Sequence, residues 1–206
     1  MGTDIYGFIE CRWDRWLDED DRSWSKAADL SDLYNGRSYA AFGALFGVRE
    51  TGDFRPLADL RGLPADASPE SRTAFESWGR DSRGSSWITW AELAAANWDE
   101  VANEADGCVH EYRRGADGAW ELYGRNSSLT RFAELSGITD PHVLYRAGLS
   151  YPEGTEWPDG DRVFRIARLT RKQAVPDTDW GPVWSVMRTL ASLHGDEGVR
   201  LVVWFG

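Results

Sequence analysis

The stretch Asp81-Ser82-Arg83-Gly84-Ser85-Ser86-Trp87-Ile88-Thr89-Trp90-Ala91-Glu92-Leu93 leaves the backbone few options. It opens as a polar, glycine-containing loop and continues through an apolar step long enough for a short strand. It closes on a helix start with Thr89 as N-cap and Glu92 three residues on. In that spacing each side chain bonds the other residue's backbone N–H, so the helix direction is set where the strand ends. A loop of Asp81, Arg83 and serines held between two rigid elements is a candidate functional segment, or else a plain surface connection.

The remaining elements follow from periodicity. Gly2 to Cys11 reads as a strand with Ile5, Gly7 and Ile9 on one face and Tyr6, Phe8 and Glu10 on the other. Both faces are largely apolar, so both are expected to be covered. Residues 12–22 read as an acid-rich hairpin loop and Trp24 to Leu30 as the returning strand. Ser38 to Phe46 forms a helix ended by Gly47, and Ser68-Pro69-Glu70 opens a second that stops at Gly79. A third runs from Trp90 to about Val101. Cys108–Arg113 and Ala119–Gly124 make a hairpin around Gly115–Gly118. Short helices follow, through Leu135 and from Asp140-Pro141 with Val143 and Leu144 inward, and then an irregular loop with Pro152 and Pro158. Val163 to Leu169 is a strand. A last helix begins near Pro182, turns Val183, Val186, Met187, Leu190 and Leu193 inward, and ends at Gly195. Val199 to Phe205 is a final apolar strand. The expectation is a single α+β domain over 1–206, a mostly antiparallel sheet with about five helices packed on it.

Charge excludes some functions. The chain of 206 residues has a formal net charge of −11, opposite in sign to the basic surface that sequence-independent nucleic-acid binding requires. An acidic balance suits a basic protein partner, or plain solubility. No apolar run approaches a membrane span, and the opening lacks the basic and apolar regions of an export signal. With only Cys11 and Cys108, the expected setting is the reducing cytoplasm. The twelve tryptophans either fill spaces between irregular elements or line a groove.

Metal chemistry has little support: His110, His142 and His194 are scattered, with no His-x-His or Cys-x-x-Cys. No cofactor and no metal are expected. Phosphate-cradling glycine motifs and a Gly-x-Ser-x-Gly elbow are missing too. Asp4 and Glu10, six residues apart on one strand, share a face, and Asp81 joins them if its loop packs over that strand. Arg37 beside Tyr39 is an anion contact, or a partner for Asp4 or Asp81. The candidate ligand site is therefore Asp4, Tyr6, Arg37, Tyr39, Asp81, Ser85, Ser86 and Trp87.

The openings Met1-Gly2-Thr3-Asp4-Ile5-Tyr6-Gly7, Arg37-Ser38-Tyr39 with Phe42 and Leu45, Arg61-Gly62-Leu63-Pro64, and Asp81 to Leu93 resemble a family of mostly uncharacterised phage and actinobacterial proteins. Those begin Met-Gly-Cys/Thr-Asp-Ile-His, carry Arg-Asn-Tyr before one helix, and have His-Ser-His-Ser-Trp/Tyr-Leu-Thr before another. The resemblance covers residues 1–93 and, loosely, the last strand, and it implies a shared fold. Tyr6 stands where the first family histidine would be, and Arg83 and Gly84 fall within the His-Ser-His stretch. The resemblance thus implies a scaffold kept after loss of any histidine chemistry.

Two functions are expected. The first is an acidic cytoplasmic interaction protein of the immunity or inhibitor kind, with Trp13, Trp16, Asp18, Glu19, Asp20 and Asp21 as partner-binding anchors and steering rim. The second is a small-molecule binder or hydrolase for a phosphorylated or nucleotide-like ligand, sited around Asp4, Arg37 and Asp81.

Overall fold

A computed structural model describes residues 2–12, 23–49, 53–79 and 82–206. The Thr89–Glu92 exchange closes as its spacing requires. Glu92 N–H donates to Thr89 Oγ1 at 3.1 Å, and Thr89 N–H donates to Glu92 Oε2 at 2.9 Å. This box ends β3 (Ser85–Thr89) and starts α3 (Trp90–Ala95). The fold is α+β, and every strand ladder among the described residues is antiparallel. There are two four-stranded sheets where the sequence suggested one. Each belongs to its own compact unit: Met1–Glu50, Arg55–Trp98 and Ala174–Gly206 form the first, and Thr51–Phe54 with Asp99–Gln173 the second.

In the first unit the sheet joins β1 (Ile5–Arg12), β2 (Trp24–Asp29), β3 and β8 (Val199–Phe205) in the order β2-β1-β8-β3. The register puts Tyr6, Trp204 and Ser85 in one cross-strand row, then Phe8, Val202 and Trp87, then Glu10, Arg200 and Thr89. All nine face the same way, because side chains alternate along a strand. Helix α2 (Pro69–Trp78) covers that face: Trp78 meets Tyr6 with ring centres 4.3 Å apart, and Phe75 meets Trp204 at 6.2 Å. On the opposite face Ile9, Leu201 and Ile88 are buried, and α1 (Tyr39–Phe46) sets Phe42 and Phe46 against Phe205 at 5.6 and 5.9 Å. Both faces of β1 are thus covered, as its two apolar faces demand. Gly47, left-handed at φ 72°, ends α1.

Helix α6 (Asp177–His194) begins five residues before Pro182, which sits inside it. The earlier start brings Trp180 into the core, stacked on Tyr34 at 4.3 Å and on Trp184 at 5.2 Å. Leu193, expected inward, is 59% exposed. Helix α3 is shorter than the expected run to Val101. Ala96 turns extended, and the Trp98 indole N–H caps the Leu93 carbonyl at 3.1 Å. Directly after Leu93 come Ala94, Ala95 and Ala96, which bring little apolar surface to hold a further turn in place.

The second unit orders its strands β5-β4-β7-β6: β4 (His110–Arg114), β5 (Trp120–Arg125), β6 (Glu156–Asp159) and β7 (Arg162–Arg165). The Gly115–Gly118 hairpin is the one expected. Strand β6 replaces part of the expected irregular loop, because Pro158 is tolerated on an edge strand where its missing N–H breaks no ladder. Val109, Phe132, Ala147, Phe164 and Ile166 form the core, with α4 (Leu129–Ser136) and α5 (Pro141–Tyr145) around it. Leu144 packs on that core, but Val143 is 41% exposed.

Strands β1 and β8 approach so closely at Gly7 that a methyl group there would collide with the Val202 carbonyl. Gly7→Ala is expected to destabilise the protein by about 1–3 kcal/mol, measured by urea unfolding. A loss below about 0.5 kcal/mol would mean that the strands part without strain.

Candidate functional site

Among the expected ligand residues, Asp4, Arg37 and Tyr39 meet at the start of β1. Arg37 donates from Nε and Nη2 to the two Asp4 carboxylate oxygens, each at 2.7 Å, in an exposed pair. Tyr39 Oη accepts the Thr3 N–H at 3.2 Å. Arg37 is therefore the Asp4 partner, and its fork is closed. Tyr6 packs on Trp78. Ser86 is buried and donates to the Ala58 carbonyl at 2.6 Å while accepting the Arg61 N–H at 3.3 Å, so its hydroxyl fastens the 58–61 loop to β3. Ser85 is buried in the Tyr6–Trp204 row. Trp87 belongs elsewhere, as set out below. Asp81, Trp13, Trp16, Asp18, Glu19, Asp20 and Asp21 lie outside the described residues.

Glu10 does not pair with Asp4. It is fully buried opposite Arg200, itself 3% exposed, and Arg200 Nε donates to Glu10 Oε2 at 2.8 Å. The other Glu10 oxygen accepts from Ser68 N–H at 2.9 Å and Ser71 Oγ at 2.6 Å, where α2 begins. A buried ion pair is tolerable only when further hydrogen bonds serve its remaining lone pairs and protons. Here they do: Arg200 Nη1 reaches Asp66 Oδ1 at 2.7 Å and Nη2 the Asp66 carbonyl at 3.0 Å. Asp66 Oδ2 accepts the Trp24 indole N–H at 2.8 Å.

Around this pair arginines and tryptophans alternate. The Arg12 guanidinium is 5.1 Å from the Trp24 ring centre and Arg200 is 3.8 Å from it. Arg200 lies 5.8 Å from Trp87, and Arg61 lies 5.0 Å from Trp87. Cation–π attraction operates within about 6 Å, so the ladder is continuous. Its last member is fixed by two carboxylate oxygens, since Arg61 donates to Glu92 at 2.7 and 3.0 Å. The capping box thus also anchors the ladder. Arg12, Trp24, Arg61, Trp87, Thr89 and Arg200 line a cleft of about 590 Å³, together with the 63–66 loop and Glu197.

Two carboxyl groups beside the cleft, Asp66 and Glu92, are committed. Burial pushes Asp66 and Glu92 up, but hydrogen bonds from Arg200 to the one and from Arg61 and Thr89 to the other outweigh it. Both are held below the ordinary carboxylate value. Residues of the cleft that sequence reasoning passed over are Arg12, Trp24, Arg61, Asp66, Thr89 and Arg200. One signal was available: Arg200 is the sole charge in the strand Val-Arg-Leu-Val-Val-Trp-Phe. A lone charge in an apolar strand needs a buried partner.

A second polar cluster lies in the other unit. Asp106, nearly fully buried, meets His110 Nε2 at 2.7 Å and accepts from Arg125 Nη1 at 2.8 Å. Both cysteines are free. Burial pushes the Cys11 thiol up, with Glu10 adding to it, and burial and Asp106 push Cys108 up to about 11. Neither is a ready thiolate at neutral pH. Among the described residues no group of three or more His, Cys, Asp or Glu side chains is placed to hold a metal ion.

Two outcomes follow from these clusters. Removing one member of the buried pair strands the other, so Arg200→Met should cost about 3–5 kcal/mol in urea unfolding. Glu10→Gln with Arg200→Met should cost less than the single change; strict additivity would contradict the pairing. At Asp106 burial raises the carboxyl and the His110 and Arg125 bonds more than reverse it, so the folded value lies below the unfolded one, about 3.9. Its contribution is then present above about pH 4 and lost as pH falls through the lower folded value. The stability gap between wild type and Asp106→Asn should therefore narrow as pH falls below about 4; a constant gap would count against it.

No family model, no curated protein and no solved structure matches this chain.

Proposed function

We propose that the chain is a binding protein of the immunity or inhibitor kind, an acidic partner that docks on and neutralises another protein in the cytoplasm. The observation that carries this reading is how fully its reactive groups are engaged in structure. Ser86 is spent on Ala58, both thiols are pushed upward, and the Asp66 and Glu92 carboxylates are held below the ordinary value by arginine. General acid–base or nucleophilic work needs groups poised near neutral pH, and these are shifted the other way. The net charge of −11 supports steering towards a basic partner. No helix among the described residues is long and apolar enough to cross a membrane.

A second reading has its own observation. The Trp24–Trp87 cleft, with three arginines, is of the size and mixed character that small ligands occupy. On this reading the phosphorylated-ligand site would lie at the opposite end of β1 from Asp4 and Arg37, whose charges satisfy each other. The resemblance to the phage and actinobacterial family fits either reading, since both keep the scaffold without the histidines.

Native mass spectrometry on gently purified protein separates them. A second polypeptide at fixed stoichiometry, lost in high salt, is the result expected of the interaction protein. An added mass of a few hundred daltons in its place would replace that reading with the second.

A further inference from the structure

We infer that Asn35 is a modification site at which the chain rearranges its own backbone. The Gly36 nitrogen attacks the Asn35 side-chain amide, and water opens the resulting ring to isoaspartate or aspartate. Of the four asparagines in the sequence, Asn35 alone precedes a glycine; Asn97, Asn103 and Asn126 precede Trp98, Glu104 and Ser127. A side chain on the following residue shields that residue's backbone nitrogen, and glycine has none.

The fold leaves both reacting residues open. Asn35 and Gly36 are exposed and lie outside any helix or strand, between the short turn Leu30–Asp32 and α1. Among the described residues neither the Asn35 amide nor the Gly36 N–H has a hydrogen-bond partner. Two of the other asparagines are held. Asn126 accepts the Val109 N–H at 3.0 Å and donates to the Tyr145 carbonyl at 2.9 Å, and Asn103 donates to the Asp53 carbonyl at 2.8 Å. Packing also keeps the glycine in place. A methyl group on Gly36 would lie 2.9 Å from the Tyr34 ring, and Tyr34 has little room to yield because it is buried and stacked on Trp180. The residue that exposes the nitrogen is thus the one that the packed tyrosine requires.

Water is the only other reactant. The Gly36 nitrogen gives its proton to solvent and bonds to Asn35 Cγ, while the side-chain nitrogen takes up a proton and leaves as ammonia, closing a succinimide ring. Water then adds to one of the two ring carbonyls. Opening at the main-chain carbonyl routes the backbone through the former side chain and gives isoaspartate; opening at the other gives aspartate. Either product puts a carboxylate where the chain had a neutral amide, and isoaspartate also lengthens the main chain by a methylene. Both ends of the segment are fixed. Tyr34 is stacked on Trp180, and Ser38 caps α1 while its N–H donates to Tyr34 Oη at 3.2 Å. The added length and charge therefore fall next to Arg37, whose fork holds Asp4.

The test is incubation of the full chain in neutral buffer, folded and in parallel in concentrated urea, with tryptic digestion and mass spectrometry at intervals. Cleavage after Lys26 and Arg37 releases residues 27–37, in which Asn35 is the sole asparagine. In the folded chain Asn35 should convert from amide to acid at least about tenfold faster than Asn97, Asn103 or Asn126. Its peptide should split into two products. One should match the peptide of an Asn35→Asp variant, and the other should accept a methyl group from protein isoaspartyl methyltransferase. The Asn35 rate in urea should lie within about threefold of the rate in the folded chain. An Asn35 that stays intact, or converts no faster than the other three, would overturn the proposal. Aspartate as the single product would exclude the succinimide route and overturn it too. So would a rate more than about threefold slower in the folded chain than in urea, because the loop would then shield the site.

Discussion

The first unit is built around a carboxylate and a guanidinium with almost no water to share. Glu10 and Arg200 face each other across the two central strands of the sheet, under the start of α2. Neither charge could stay in that position alone. The pair dictates what must surround it: hydroxyl and N–H groups from Ser68 and Ser71 on one side, Asp66 and the face of Trp24 on the other. Each of those side chains ties a further segment to the sheet. The loop before α2, the α2 N-terminus and β2 are all positioned by one buried ion pair.

From that pair the order spreads sideways through the arginine–tryptophan ladder to Arg61 and Glu92. Glu92 does two jobs with one carboxylate: it closes the capping box that starts α3 and fixes Arg61 against Trp87. An exposed ion pair of this kind would add little to stability. In series with the aromatic rings and the buried pair, it shapes the wall of a cleft. Rigid walls of this kind suit recognition, because little ordering is left to occur on binding.

Local signals were legible in the sequence and long-range ones were not. The Thr-x-x-Glu box, the Ser68-Pro69 helix start, the Gly115–Gly118 hairpin and the helix stop at Gly47 each follow from residues a few positions apart. The alternation of Ile5 to Cys11 correctly showed that both faces of β1 are covered. Strand pairing joins residues as distant as Glu10 and Arg200, and no local pattern encodes it. That is why one sheet was expected and two formed, and why Glu10 was matched with Asp4 on its own strand when its partner stood on the last. Pro158 hid an edge strand, and Pro182 marked a helix start five residues too late. Of the expected ligand residues among those described, Trp87 alone lines the cleft.

The central claim is that Arg200 is held dry between Glu10 and the Trp24 ring, and arginine side-chain NMR tests it directly. The Arg200 Nε–H should give a separate signal, displaced by the Trp24 ring current, that exchanges with solvent far more slowly than those of exposed arginines such as Arg37. A signal at the position and exchange rate of an exposed arginine would contradict the account, because the pair, the ladder and the cleft all depend on that one guanidinium.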